Sequence, residues 1–261
     1  MNKLPKIDNE QTKKNIIRFI KEKVSKANAE GVVVGISGGI DSSLTACLSC
    51  EAIGKENVFG VMMPSTTTPT EDKLHGADLV KILEIDYKEV PIDSILNEFI
   101  SVSENINDKK AIGNLKARIR MSILYYYANL KNYIVCGTGN KSEILIGYFT
   151  KFGDGACDME PIGDLYKTEV KQIAKEVNVP NEIIEKSPRA GLWNNQTDED
   201  EIGMSYDTLD KLLYMLIDKN MNVEKIANNL KIPIEEVNRI AKKVANNQHK
   251  NEVPEISNKV F

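Results

Sequence analysis

Two histidines, His75 and His249, four scattered cysteines (Cys47, Cys50, Cys136, Cys157) and a single tryptophan are all that this chain of 261 residues carries of those types. A zinc centre or a disulfide framework needs such ligands in greater number and at closer spacing. Cys47 and Cys50 do form a C-x-x-C, but on a helix they fall one turn apart beside Leu44, Ala46 and Leu48, so they read as small buried apolar residues. Long apolar runs are missing too. No stretch approaches the ~18 residues of a membrane span, and the first residues, MNKLPKIDNEQTKKNIIRFIKE, contain no uninterrupted apolar core of a secretory leader. The expectation is a cytoplasmic protein with no membrane contact. Nor is there an excess of one charge: 34 basic residues stand against 38 acidic, a net charge of -4. Nothing draws the whole molecule to nucleic acid, and its partners should be small molecules or other proteins.

Short β-branched or mixed apolar runs alternate with longer stretches of helical period. Strands are predicted at Val32–Ile36, Val58–Met63, Tyr87–Ile92 and Tyr133–Gly137, and helices at Ser43–Ile53, Glu71–Leu83, Asp93–Val102 and Asn114–Leu130. That alternation builds an α/β fold, a doubly wound parallel sheet whose ligands bind at the carboxyl ends of the strands. From Asp164 the chain turns helical, with elements at Leu165–Val177, Tyr206–Ile217, Val223–Leu230 and Ile234–Ala245. The chain is thus read as one domain: a sheet part over about 30–160, a helical part over about 164–250, and a surface tail. Ser65–Thr70 and Gly147–Asp158 lack regular pattern and suit lids. The helix Asn114–Leu130 is apolar over too much of its circumference for a surface helix and should pack in a core or a subunit interface.

Gly35-Ile36-Ser37-Gly38-Gly39-Ile40-Asp41-Ser42 stands between the first strand and a helix predicted from Ser43. Two glycines at such a turn let backbone N–H groups close around phosphate oxygens, and the Ser37 and Ser42 hydroxyls add donors. Asp41, in the middle of the loop, would repel phosphates unless a divalent cation lay between, so the string implies Mg²⁺ and ATP held by its pyrophosphate end. An ordinary strand-to-helix turn would need the glycines but neither the serines nor the aspartate. A second strand-end loop, Gly137-Thr138-Gly139-Asn140, would face the same pocket if the two strands are neighbours.

Four further strings accompany this loop: Asn114-Leu115-Lys116-Ala117-Arg118-Ile119-Arg120-Met121, Gly137-Thr138-Gly139-Asn140-Lys141-Ser142-Glu143, Gly147-Tyr148-Phe149-Thr150-Lys151-Phe152-Gly153-Asp154-Gly155, and Ala190-Gly191-Leu192-Trp193 followed by Asp198-Glu199. Together they closely resemble the ammonia-dependent NAD synthetases, over about Ile16 to Lys250; the loop alone would say only N-type ATP pyrophosphatase. The resemblance implies a Rossmann-like fold of the adenine nucleotide alpha-hydrolase type with added C-terminal helices. It implies a ligase that amidates deamido-NAD with ammonia, consuming ATP and releasing AMP and pyrophosphate, in a homodimer whose contact could be the aromatic stretch Tyr125–Tyr127. With only 34 residues ahead of the loop, no glutaminase domain fits there, and free ammonia is the expected nitrogen donor.

Residue by residue, the resemblance assigns Gly35 to Ser42 (Gly35, Ile36, Ser37, Gly38, Gly39, Ile40, Asp41, Ser42), Thr138 and Lys167 to ATP. Asp41 and Glu143 are assigned to Mg²⁺, and Arg118, Lys151, Asp158, His249 and Lys250 to deamido-NAD. Arg189 stands where relatives usually carry serine or threonine beside the nucleotide, and is expected to touch phosphate or to swing to solvent. Two rival readings stay open: another N-type pyrophosphatase such as a GMP synthetase domain, which leaves the string from Lys151 to Asp158 unexplained, and a non-catalytic adenine-nucleotide module, which has no need of Asp41, Glu143 and Lys167 together.

Overall fold

A computed structural model of the chain describes residues 4–103, 108–189, 191, 193 and 197–257. Ala190 and Leu192 of the fourth string therefore lie outside the described residues, as do residues 258–261 of the expected tail. Four parallel strands form one sheet: β1 (Gly31–Gly35), β2 (Val58–Met62), β3 (Asp86–Glu89) and β4 (Tyr133–Cys136), in the order β3-β2-β1-β4. Val32–Gly35 pair with Val58–Val61 on one side of β1, and Gly31–Val34 pair with Tyr133–Cys136 on the other. The chain thus reverses its direction of travel between β1 and β4, the switch point where doubly wound sheets open a crevice. The two glycine-containing loops leave these neighbouring strands, as their sharing one pocket requires.

Helices cover both faces. On one side α1 (Asn9–Lys26), α2 (Ile40–Ile53), α7 (Lys167–Glu176) and the short α8 (Asn181–Ile184) bury Ile20, Leu44, Leu48, Ile173 and Ile183 against β1. On the other, α5 (Lys109–Lys131) packs over Val33, Phe59, Val61 and Val135, with α4 (Asp93–Ser101) beside it; α3 (Thr70–Leu83) follows β2. A separate apolar cluster joins α6 (Lys141–Ile146), α9 (Asp198–Ile202), α10 (Tyr206–Leu213), α11 (Val223–Leu230) and α12 (Ile234–Asn247), which ends in a 3-10 turn, Gln248–Asn251.

Several boundaries shift for identifiable reasons. α1 has no counterpart among the predicted elements, yet Asp8 caps it by accepting the Gln11 N–H at 3.0 Å, and Ile16, Ile20 and Val24 lie buried along one face. α2 begins at Ile40 rather than Ser43, because Ser42 and Ser43 both return their hydroxyls to the Gly39 carbonyl at 3.0 and 2.8 Å. Asp41 therefore sits in the first turn of a helix, not in mid-loop. α5 starts five residues before the expected Asn114, capped by Asp108, which accepts the Ala111 N–H at 2.7 Å. Its inner side buries Ala117, Ile119 and Ala128, whereas Tyr126 and Leu130 are 60% and 63% exposed. The helix expected over Tyr206–Ile217 stops at Leu213 and passes into a π-helical turn, Tyr214–Asp218. Lys250 does not open a free tail, since its ammonium binds the Gly147 and Phe149 carbonyls at 2.7 and 2.9 Å. Among the described residues no helix is long and apolar enough to cross a membrane.

Leu48, fully buried on α2, measures how firmly that helix, and the loop before it, is held. Leu48→Ala should cost about 2–5 kcal/mol in urea unfolding; a cost well under 1 kcal/mol would mean that α2 contributes little to the core.

Candidate active site

The turn after β1 presents backbone donors at the open end of α2. The N–H groups of a helix's first turn have no acceptor within the helix, and no side chain caps them here. Gly38 takes φ +77°, and a Cβ there would fall 2.0 Å from the Asp72 carbonyl oxygen, so only glycine lets the turn press against α3. Ser37 Oγ and Ser42 Oγ lie 3.0 Å apart and the Gly39 N–H donates to Ser37 Oγ at 3.2 Å, holding the turn in shape.

Around this turn opens a cleft of about 310 Å³ at the carboxyl ends of β1, β2 and β4, lined by Ser37, Asp41, Thr138, Glu143, Lys167 and Arg189 among others. Asn140 ties the two loops together. Its side chain caps α6 by accepting the Glu143 N–H at 3.1 Å and donates to Asp41 Oδ1 at 2.9 Å. Lys167, at the first position of α7, is 2% exposed, and its ammonium lies 2.5 Å from Asp41 Oδ2 and 3.1 Å from Glu143 Oε1. The sequence reading gives Lys167 a phosphate partner. In this structure its partners are the two carboxylates assigned to the metal, and it sits 5.3 Å from the centre of the Tyr206 ring.

A third carboxylate completes the group. Asp198, 3% exposed, accepts from the Tyr148 and Tyr206 hydroxyls at 3.2 Å each. Burial works against the Lys167 charge, but Asp41, Glu143 and Asp198 outweigh it and raise its pKa. Burial also raises the Glu143 pKa, with Lys167 opposing, and does the same for Asp198. Three carboxylates around one ammonium leave a surplus of negative charge beside a phosphate loop. Among the described residues no cluster of three or more His, Cys, Asp or Glu has metal-holding geometry. Asp41 and Glu143 supply two carboxylates, a donor set that suits a Mg²⁺ completing its shell with phosphate oxygens and water.

A second set of cations gathers at the 147–153 loop. Arg118 donates to the Lys151 carbonyl at 3.2 Å, Lys151 donates to the His249 carbonyl, and Lys250 holds the two loop carbonyls already named. Asp158 stands apart from both sets. Its carboxylate accepts the Val135 N–H at 2.7 Å and the Tyr125 hydroxyl at 3.2 Å, which fastens the chain after the loop to β4. Arg189 follows neither expected course. It pairs with Glu71 at 2.6 Å and Asp72 at 2.9 Å on α3, because that helix's acidic first turn lies within its reach.

Sequence reasoning missed Asp198, Asn140, Lys186 and Glu160. The N-cap position of Asn140 ahead of Glu143 was a readable signal; the others acquire partners only through the fold. Glu160 lies behind the second loop, accepting the Gly139 N–H at 2.9 Å and the Cys157 thiol at 3.2 Å, and burial pushes its pKa up to about 7. Burial likewise pushes the thiols of Cys47 and Cys50 up to about 12 and about 11, so both stay protonated and inert.

The family model for NAD synthase matches residues 12–254. Over 249 residues the chain is 49% identical to the NH(3)-dependent NAD(+) synthetase of Methanococcoides burtonii, with 95% of this chain and 94% of that protein covered. Among solved structures, the NMN synthetase from Francisella tularensis superposes with a TM-score of 0.87 at 31% identity, covering 97% of this chain and 100% of the other. The NH3-dependent NAD synthetase from Campylobacter jejuni, in complex with a nitrate ion, gives 0.83 at 36% identity, with the same coverage.

Lys167→Met strands three carboxylates without their counter-ion. Stability at pH 7 should fall by about 3–5 kcal/mol in urea unfolding. The loss should shrink towards pH 5 as Glu143, whose pKa is raised, takes up a proton. Glu160 gives a second pH signature. With a folded pKa near 7 and an ordinary unfolded value, the native state holds a proton that the unfolded chain has lost, so its contribution to stability declines as pH rises through that window and stays low above it. Glu160→Gln should remove this slope, worth roughly 1 kcal/mol per pH unit, in a pH series of denaturation curves; an unchanged slope would assign the titration elsewhere.

Proposed function

The chain belongs to the NAD synthase family, and from that premise we propose that it amidates deamido-NAD with free ammonia, consuming Mg-ATP and yielding NAD, AMP and pyrophosphate. The observation that carries this reading is the meeting of the phosphate turn, Asp41 and Glu143 around Lys167 at the mouth of two adjacent parallel strands. A carboxylate cannot expel oxide, so the nicotinate group must first be activated. Its oxygen attacks the α-phosphorus of ATP, the bond to the bridging oxygen breaks, and pyrophosphate leaves; ammonia then adds to the acyl carbon of the adenylate, AMP departs and a proton is released.

Each set of residues has work in this sequence. The N–H groups of the turn face charge that grows on the leaving pyrophosphate, which favours the transition state over the ground state. Asp41 and Glu143 would hold Mg²⁺, which neutralises phosphate charge when bound. Lys167 holds both carboxylates at hydrogen-bond distance and aims them at one point. Arg118, Lys151 and Lys250 bind backbone carbonyls rather than carboxylates, so their charge remains available to the anionic dinucleotide. The loops 65–70 and 147–158 would shield the adenylate from water until ammonia arrives. The exposed Tyr126 and Leu130 on α5 offer the contact surface of a homodimer. We place the enzyme in the cytoplasm, where both nucleotides are found.

The decisive assay supplies ATP, Mg²⁺ and ammonium with deamido-NAD, nicotinate mononucleotide or xanthosine monophosphate in parallel. NAD, AMP and pyrophosphate should form in equal amounts with the first alone, and Asp41→Ala should abolish them without unfolding the protein. Turnover of the mononucleotide would move the reading towards that of the NMN synthetase from Francisella tularensis, and ADP with phosphate would end it.

A further inference from the structure

Lys186 belongs to no assigned set, yet it reaches the phosphate turn directly. Its side chain is 10% exposed, and its ammonium donates to the Gly38 carbonyl at 2.5 Å and to Asp72 Oδ1 at 2.7 Å, with His75 Nδ1 at 3.4 Å. An ammonium has three N–H bonds; the Gly38 carbonyl and Asp72 take two of them, and His75 Nδ1 stands near the third. Lys186 thus commits two of its three hydrogens to the turn and to α3, and its hold on the turn is direct.

We propose that Lys186 is a positioning residue for adenylate formation, which fixes the Gly38–Gly39 peptide so that the Gly39 N–H faces the departing pyrophosphate. The inference rests on the function proposed above. The carbonyl and N–H of a trans peptide point in opposite directions. With the Gly38 oxygen held towards α3, the Gly39 N–H must face the other way, where it now meets Ser37 Oγ at 3.2 Å. The same peptide would otherwise be among the freest in the chain, being flanked by two glycines. Asp72 is held in turn from a second side, since Arg189 donates to its two oxygens at 3.3 and 2.9 Å. The string Lys186-Ser187-Pro188-Arg189 thus clamps one carboxylate on α3 with two cations, and the clamp ends on the turn. The surrounding fold does not need it. Ile183 and Ile184 anchor α8, and Leu79 and Val80 anchor α3, in the core below.

The test compares Lys186→Met and Lys186→Arg with the parent by ATP–pyrophosphate exchange in the presence of deamido-NAD, and by calorimetric titration with Mg-pyrophosphate and with AMP. For Lys186→Met the exchange rate at saturating ATP should fall about 100-fold, the loss typical of removing one preorganised donor. Pyrophosphate affinity should weaken about tenfold, while AMP affinity, the KM for deamido-NAD and the thermal midpoint stay within normal scatter. Lys186→Arg, which can still donate to the Gly38 carbonyl, should recover at least about tenfold of the lost rate. Should Lys186→Met not fold, Asp72→Asn loosens the clamp while keeping an acceptor, and should show the same pattern at smaller size. Unchanged exchange and pyrophosphate affinity, or losses spread equally over AMP, deamido-NAD and the thermal midpoint, would overturn the inference. If the parent shows no exchange with deamido-NAD, the proposed function fails, and the pyrophosphate and AMP titrations still decide whether Lys186 orders the turn.

Discussion

The ammonium of Lys167 between Asp41 and Glu143 is the interaction on which the site depends, because it joins segments that the chain keeps far apart. Asp41 comes from the first turn of α2, Glu143 from α6 after β4, and Lys167 from the start of α7; Asp198, close enough to act on the same charge, comes from α9. An ammonium buried to this degree is tolerable only where opposite charge meets it at hydrogen-bond distance, and removing either side leaves the other stranded. The pair therefore acts less as a source of net stability than as a demand that four elements arrive together. Ordering the site and completing the fold become one event.

Parallel strand pairing is what makes the demand easy to meet. β1 and β4 are adjacent and in register, so the loops at their ends cannot move apart without breaking the sheet. Asn140 turns that proximity into a fixed distance through its bond to Asp41. Below the loops Leu44, Leu48 and Ile173 close the core with almost no exposure. The rigid part of the molecule thus carries the charged part, since Asp41, Glu143 and Lys167 each stand in the first turn of a helix.

β1, β2 and β4 were legible because each is a short apolar run bounded by turns, whereas β3, Asp86–Glu89, is polar and exposed and ends three residues before the expected Ile92; the phosphate turn was legible because its glycines, serines and aspartate have a shared use. Even so, the apolar spacing places the helix start at Ser43, whereas two serines bonding back to one carbonyl move it to Ile40. The face Ile16, Ile20, Val24 was visible as a four-residue spacing, but the charged residues between them dilute the pattern until a sheet is there to cover it. Lys167 and Arg189 show the deeper limit. A cation near an expected phosphate reads as a phosphate ligand, whereas here each meets carboxylates from elements 126 and 117 residues away in the chain. Lys186 and Glu160 carry no local signature, and Asp198, though it stands in the fourth string, has none that names its partners. Their roles come from what the fold sets opposite them.

The cations divide into two groups, and the division follows from the partners. Lys167, Lys186 and Arg189 face carboxylates, so their charge is spent within the protein and what they provide is position. Arg118, Arg120, Lys151 and Lys250 face backbone carbonyls, which satisfy hydrogen bonds without cancelling charge. An acidic protein that must bring together two polyanions needs both arrangements. On the function proposed above, the first builds a centre whose carboxylates would take the divalent cation that accompanies the nucleotide. The second keeps positive charge beside the 147–153 loop, where the other anionic substrate would meet it. On that reading each anion would be drawn to the side that lacks the other's charge, and the reacting carboxylate would reach phosphorus without crossing a field that repels it.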